Sequence, residues 1–380
     1  MKVLRLPRAK VELGLPLPWN VRDEEGHLLL SKGHIIHSET QLDTLLLRGA
    51  FVDYEEVLAS TARQTEAPPD NSIYKTRLNL FGMWEKTSAE LQALLSHTDG
   101  PDFGDQVEQF ARHIIKLLDT NVDIALYRCV RQDNAQHYWY GYAHSVHTAV
   151  LCVLLSRHLH WSEGRMMSLV KAALTMNMSI LELQGKMAAQ DVPMKDKQHD
   201  KIRHHTEQAV EILRKAGVQD EDWLMAVAQH HERADGKGYP TGSPDVCEMA
   251  IALRVTDVFM AKISPRAIRE ALSPQDAVRQ LYSEDAGGPL STAVVKQVGL
   301  YPPGDYVKLA NGERAVVVQR TANVKAPIVA AITDSAGHAI GKTVRRDTAL
   351  KEYAIVGTVA DKAMLKRLAP ERLFGFAEVQ

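Results

Sequence analysis

Cysteine is scarce. The chain has 380 residues and three cysteines, Cys129, Cys152 and Cys247, with no pair spaced C-x-x-C. That excludes a disulfide framework and a thiolate zinc site, and fits reduced, buried thiols in a cytoplasmic protein. No apolar run is long enough to cross a bilayer, and Met1 to Arg8 is too charged, with too short an apolar part, for a secretion signal. Charge of one sign is also lacking. The formal net charge is −2, so no global basic field points to DNA or RNA, although a local basic pocket is allowed. What remains is ordinary soluble composition, 45% hydrophobic and 24% charged, at a length that suits two or three domains.

Along the chain, residues 1–58 read as a small β-rich accessory domain. Leu17 to Arg22 and His27 to Ile36 are strand-like around an Asp23-Glu24-Glu25-Gly26 turn. Ser38 is placed to cap a helix with Leu42, Leu45 and Leu46 on one face and Gly49 at its end, and Phe51 to Val57 returns as a strand. Residues 59–72 have little to bury and read as a linker. Residues 73–299 carry helical periodicity, with strand signals scarce from Tyr142 to about Leu281. Residues 300–362 switch to β-like runs separated by Asn311-Gly312 and Ser335-Ala336-Gly337, and 363–380 read as a helix with a tail. The expected fold is mainly α, a helical bundle flanked by a small β-rich domain at each end.

One stretch stands out: Gln229-His230-His231-Glu232-Arg233-Ala234-Asp235-Gly236-Lys237-Gly238-Tyr239-Pro240. Adjacent histidines sit about 100° apart on a helix, so they reach one centre only where the chain changes direction. The Gly- and Pro-rich loop marks such a change. A second feature is Asp257, alone among apolar helical residues from Ala250 to Phe259. Buried there, it needs a partner or a metal.

These motifs, from about Tyr142 to Arg269, resemble the HD-GYP family of bacterial metal phosphodiesterases that open cyclic di-GMP. The resemblance implies an HD-type bundle whose metal ligands converge from several helices. It assigns ligand positions to His144, at the opening of one helix, to His205, at the opening of another, and to His230, His231 and Asp257. Glu232 is expected to brace the loop. Arg266 and Arg269, one helical turn apart, match cations that hold the phosphates of the cyclic dinucleotide; a solvated basic face is the alternative. Asp235, Gly236, Gly238, Tyr239 and Pro240 match a loop linked to contacts with diguanylate cyclase (GGDEF) domains.

The pattern breaks where the family has its name-giving pair. Counting from His144 puts the His-Asp at Met176-Asn177 and the following lysine at Ile180. Asn carries no charge to bridge two dications, and Met is a poor ligand for hard metals. A carboxylate that helps hold a third metal is replaced by Tyr140. The His199-Asp200 dipeptide lies in what reads as a charged loop, Met194 to Lys201, and is no substitute. The expectation is a degenerate member that binds cyclic di-GMP or a partner with weak or no hydrolysis. It would hold one divalent metal (iron, manganese or zinc) at reduced occupancy, or none. An active phosphodiesterase with an atypical metal site is the alternative, and a homodimer is compatible with either.

Overall fold

The computed structural model describes residues 3–6, 11, 13, 15–36, 39–47, 49–53, 79–100, 102–132, 134–284, 287–359 and 368–375. By contact the chain falls into two compact units. One takes in residues 1–81, Tyr306–Val318 and Ile328–Gln380; the other takes in Gly82–Asp305 and Gln319–Pro327.

The first unit opens with β1 (Val3–Arg5), β2 (Val21–Arg22), β3 (Leu28–Leu30), α1 (Glu39–Leu47) and β4 (Phe51–Asp53). The four strands make an antiparallel sheet in the order β1-β4-β2-β3. Trp19, Val21, Ile36, Leu42 and Val52 form its core. The expected strand from Leu17 shrinks to Val21–Arg22, and Pro18 within the missing part has no N–H to give a ladder. Gly49 follows α1 at φ 74°, a backbone region open to glycine. The proposed Ser38 cap, the strand beyond Asp53 and the linker 59–72 lie outside the described residues.

The second unit is helical: α2 (Leu80–Leu95), α3 (Phe103–Thr120), α4 (Val122–Val130), α5 (Tyr140–His158), α6 (Glu163–Thr175), α7 (Leu181–Ala189), α8 (Asp196–Lys215), α9 (Glu221–Gln229), α10 (Glu248–Ile263), α11 (Pro274–Glu284) and α12 (Pro289–Val298). Helix α5 is buried on nearly every side and is the axis of the bundle, packed against α3, α6, α7, α10 and α12. Helix α6 is pinned to α9 by polar bonds at its margin. Trp223 Nε1 donates to Thr175 Oγ1 at 2.8 Å, and Lys171 Nζ lies 3.0 Å from Asp220. Helix α8 begins at Asp196, so His199-Asp200 is helical and not in a loop. The Gln198 side chain accepts the Lys195 N–H at 2.8 Å and starts the helix early, behind a polar, exposed first turn.

The chain closes with β5 (Tyr306–Leu309), β6 (Arg314–Gln319), β7 (Ile328–Thr333), β8 (Ala339–Asp347), β9 (Ile355–Thr358) and α13 (Pro370–Phe374). The sheet order is β8-β7-β6-β5-β9. Strand β8 was not expected. It is an edge strand whose residues are mostly exposed, so Ala-Ile-Gly-Lys-Thr-Val-Arg-Arg-Asp has no buried face to record in its sequence. Of the expected terminal helix and tail, Pro370–Phe374 is helical, and 360–367 and 376–380 lie outside the described residues.

Close approach of α5 to α7 depends on Gly141. A Cβ there would sit 2.9 Å from the Leu181 carbonyl oxygen and 2.9 Å from Gln184 Oε1. Gly141→Ala should therefore lower stability by about 1–3 kcal/mol in a denaturant melt, through overpacking. Gly164→Ala, on the open face of α6 with nothing within 4 Å, should be neutral or stabilising by up to about 1 kcal/mol. Equal melts for the two variants would remove the packing argument.

Candidate functional site

The bundle brings His144 (α5), Asn177, His205 (α8), His231, Tyr239 and Asp257 (α10) onto one cleft of about 420 Å³. Arg266 and Arg269 stand on the same cleft, with Ile180, Gln184, Met187, Met194 and Ile202 among its other walls. His230 is buried behind His205 and His231.

Each side chain arrives by a definite local route. Helix α9 ends at Gln229, His230 is its C-cap, and the turn swings His231 beside it, with ring centroids 4.2 Å apart. This is the change of direction that lets neighbouring histidines share a centre. His205 lies halfway along α8, not at its opening, because the helix starts at Asp196. His144 is likewise one turn inside α5, which starts at Tyr140. Met176 and Asn177, which the sequence count aligns with the His-Asp pair, follow the end of α6. Met176 is fully buried, while Asn177 faces the cleft.

One potential metal-holding group is His205, His230 and His231, whose nitrogens lie within 4.8 Å of one another. His205 Nδ1 donates to the Ile202 carbonyl and His230 Nδ1 to the Val227 carbonyl at 2.8 Å. A carbonyl only accepts, so both Nδ1 atoms carry the proton. Both Nε2 lone pairs then face each other at 3.3 Å. Burial pushes the His205 imidazole down to about 4, with His230 adding to the effect, and burial also lowers His230 and His231. Near neutral pH the three are uncharged and able to ligate. Opposed lone pairs on neutral rings, their far nitrogens fixed by carbonyls, fit a bound cation. Three imidazoles and no carboxylate suit zinc or iron better than manganese.

Two further ligand candidates meet each other. His144 Nε2 lies 2.7 Å from Asp257 Oδ1, and both are buried. Burial pushes the Asp257 carboxyl up, but the hydrogen bond to His144 outweighs it and holds Asp257 well below the usual carboxylate range. The pair joins α5 to α10 across the cleft floor.

The loop after His231 folds inward. Glu232 accepts from Thr241 N at 2.7 Å, Thr241 Oγ1 at 2.8 Å and Gly242 N at 3.0 Å, and so braces it as expected. Gly238 passes so close to the chain that a Cβ would lie 2.5 Å from Glu232 Cα and Arg233 N. Tyr239 then stacks on His231, centroids 4.6 Å apart and planes 20° from parallel, and Tyr239-Pro240 is cis. Asp235, paired with Arg233, and Gly236 form the exposed tip.

Arg266 and Arg269 do not lie one helical turn apart. Pro265 follows the end of α10, and the two residues face each other across a tight turn, each N–H bonded to the other's carbonyl at 3.1 Å. Their shared position on the cleft holds all the same. Sequence reasoning noted Tyr140 only as a residue standing where the family has a carboxylate, and missed that its hydroxyl meets Arg266 from 126 residues away. No local pattern could have paired them.

Residues 128–287 match the family model described as HD domain. Over 185 residues the chain is 25% identical to Cyclic di-GMP phosphodiesterase PA4108 of Pseudomonas aeruginosa, a match spanning 48% of this chain and 45% of that protein. The chain thus spans less than half the length of that curated relative. A solved structure, Bd1817, described as a HDG"Y"P protein from Bdellovibrio bacteriovorus, aligns with a TM-score of 0.48 at 14% identity, over 77% of this chain and 97% of that one.

Removing the loop's anchor tests the construction of the site. Glu232→Ala should raise hydrogen exchange at the Thr241 and Gly242 amides by at least about tenfold, since bonds to a charged acceptor are worth about 1.5–3 kcal/mol each. Unchanged protection at both amides would show that Glu232 does not hold the loop.

Proposed function

We propose that this chain is a degenerate HD-GYP protein in cyclic di-GMP signalling, one that binds the nucleotide or a protein partner and hydrolyses little or none. One observation carries the reading. Among the described residues lining the cleft, Asp257 is the only carboxylate, and it is bonded to His144. A two-metal phosphodiester cleavage needs anionic ligands to keep two dications a few ångströms apart. At the place for the second acid the cleft offers the neutral Asn177, with the thioether of Met176 buried beside it and Ile180 where a lysine is expected.

The three-histidine group supports a site for one divalent metal. It also favours the rival reading, a phosphodiesterase working through that atypical centre. The cleft's size and its two arginines fit a cyclic dinucleotide as ligand. Partner binding rests on the loop. Its exposed tip, Arg233 to Lys237, is the surface a GGDEF domain would meet, while Tyr239 and Pro240 are only half-exposed.

Metal analysis with a turnover assay separates the readings. The expected outcome is at most one metal per chain, saturable binding of cyclic di-GMP, and no cleavage above background with added zinc, iron or manganese. Two metals per chain, with turnover that His231→Ala abolishes, would establish the phosphodiesterase instead.

A further inference from the structure

Most arginines on the helical unit end on carboxylates: Arg112 on Glu108, Arg157 on Asp119, Arg214 on Glu221. Arg266 and Arg269 differ. Among the described residues neither has a carboxylate within ion-pair distance, and both border the cleft. Arg269 Nη2 donates to the Ala261 carbonyl at 2.7 Å. Arg266 donates through Nε at 3.0 Å and Nη2 at 2.8 Å to one oxygen, the phenol of Tyr140. The guanidinium carbon lies 5.1 Å from the centre of the Tyr140 ring. The ring in turn stacks almost parallel on His144, 4° apart at 5.9 Å.

A phenol that accepts two guanidinium bonds fixes the rotamer without cancelling the charge. A carboxylate at that position would neutralise Arg266. Arginine's fork matches phosphate oxygens, and a side chain held before binding loses less entropy on contact. The Nη1 edge of Arg266 has no hydrogen-bond partner among the described residues.

We propose that Tyr140 is a positioning residue that presents Arg266 to a phosphate of the bound nucleotide, so that organic cations, not metal ions, supply the charge that holds it. The inference rests on the cyclic di-GMP reading above. Binding should then survive removal of divalent metal.

The experiment is titration calorimetry of the full chain with cyclic di-GMP, with and without excess EDTA, across several salt concentrations. Wild type should bind in EDTA with an affinity within about threefold of the metal-supplemented value. Arg266→Ala should weaken binding by roughly 10- to 100-fold and flatten the salt dependence. Tyr140→Phe keeps the ring and its stack but removes the acceptor, and should weaken binding by several-fold to about tenfold. In the double variant, Tyr140→Phe should add less than about twofold to Arg266→Ala, a non-additivity that a merely structural role would not give. If Tyr140→Phe lowers the melting point, Arg266→Lys replaces it: charge kept, fork lost, binding still weakened. Binding only with added metal would overturn the proposal, as would wild-type affinity in Tyr140→Phe or simple additivity. No binding by wild type under any condition would instead overturn the nucleotide reading itself.

Discussion

The His144–Asp257 bond determines what the cleft can be. It joins the central helix of the bundle to α10 at 2.7 Å, with both groups out of water. A buried carboxylate must be paired, and here an imidazole pairs it. That engagement divides the candidate ligands into two sets. His205, His230 and His231 face one another, while His144 and Asp257 face each other. A bridging acid at Asn177 would tie the sets into one polynuclear centre. With an amide at Asn177, no negative charge links the two sets across that side of the cleft.

Much of this was legible in the sequence, for physical reasons. The adjacent histidines had to sit at a helix end, and His230 is the C-cap of α9. Asp257 had to find a partner, and it did. Glu232 braces the loop as expected. Burial and helix periodicity act locally, so local sequence records them. Where reading failed, the cause was polar or distant. The Asp196 start of α8 is a charged, exposed turn with no apolar stripe, and β8 is an edge strand with no buried face. The turn at Arg266 and Arg269 came from Pro265 ending α10, a stop that the i, i+3 spacing concealed. The contact of Tyr140 with Arg266 spans 126 positions and uses a residue type that signals nothing by itself.

The tyrosine of the Gly-Tyr-Pro loop belongs to the cleft wall. Tyr239 covers His231, and burial raises its phenol above the usual range. Gly238 makes this geometry available, because only a residue without Cβ fits against Glu232 and Arg233. Loop and histidine cluster are therefore one mechanical unit. Any event that turns the His231 ring must also move Tyr239, and a partner that grips the exposed tip at Asp235 acts on a segment anchored three times at Glu232.

That coupling bears on how the shape of the cleft is held. A catalytic centre needs its charges; a recognition centre needs its shape. The cleft retains the parts that give shape: the Gly141 contact between α5 and α7, the Trp223–Thr175 bond that seats α6 on α9, and the inward-folded loop. On the proposed reading, the positions that would handle a second metal carry Met176, Asn177 and Ile180. Tyr140 borders the same cleft and holds Arg266, which has no carboxylate within ion-pair distance among the described residues. Positive charge thus borders the cleft at Arg266 and Arg269, while Asp257 is the one carboxylate among its described lining residues. Such a lining attracts an anion, and on the proposed reading a pair of dications would lack the bridging acid needed to hold them side by side.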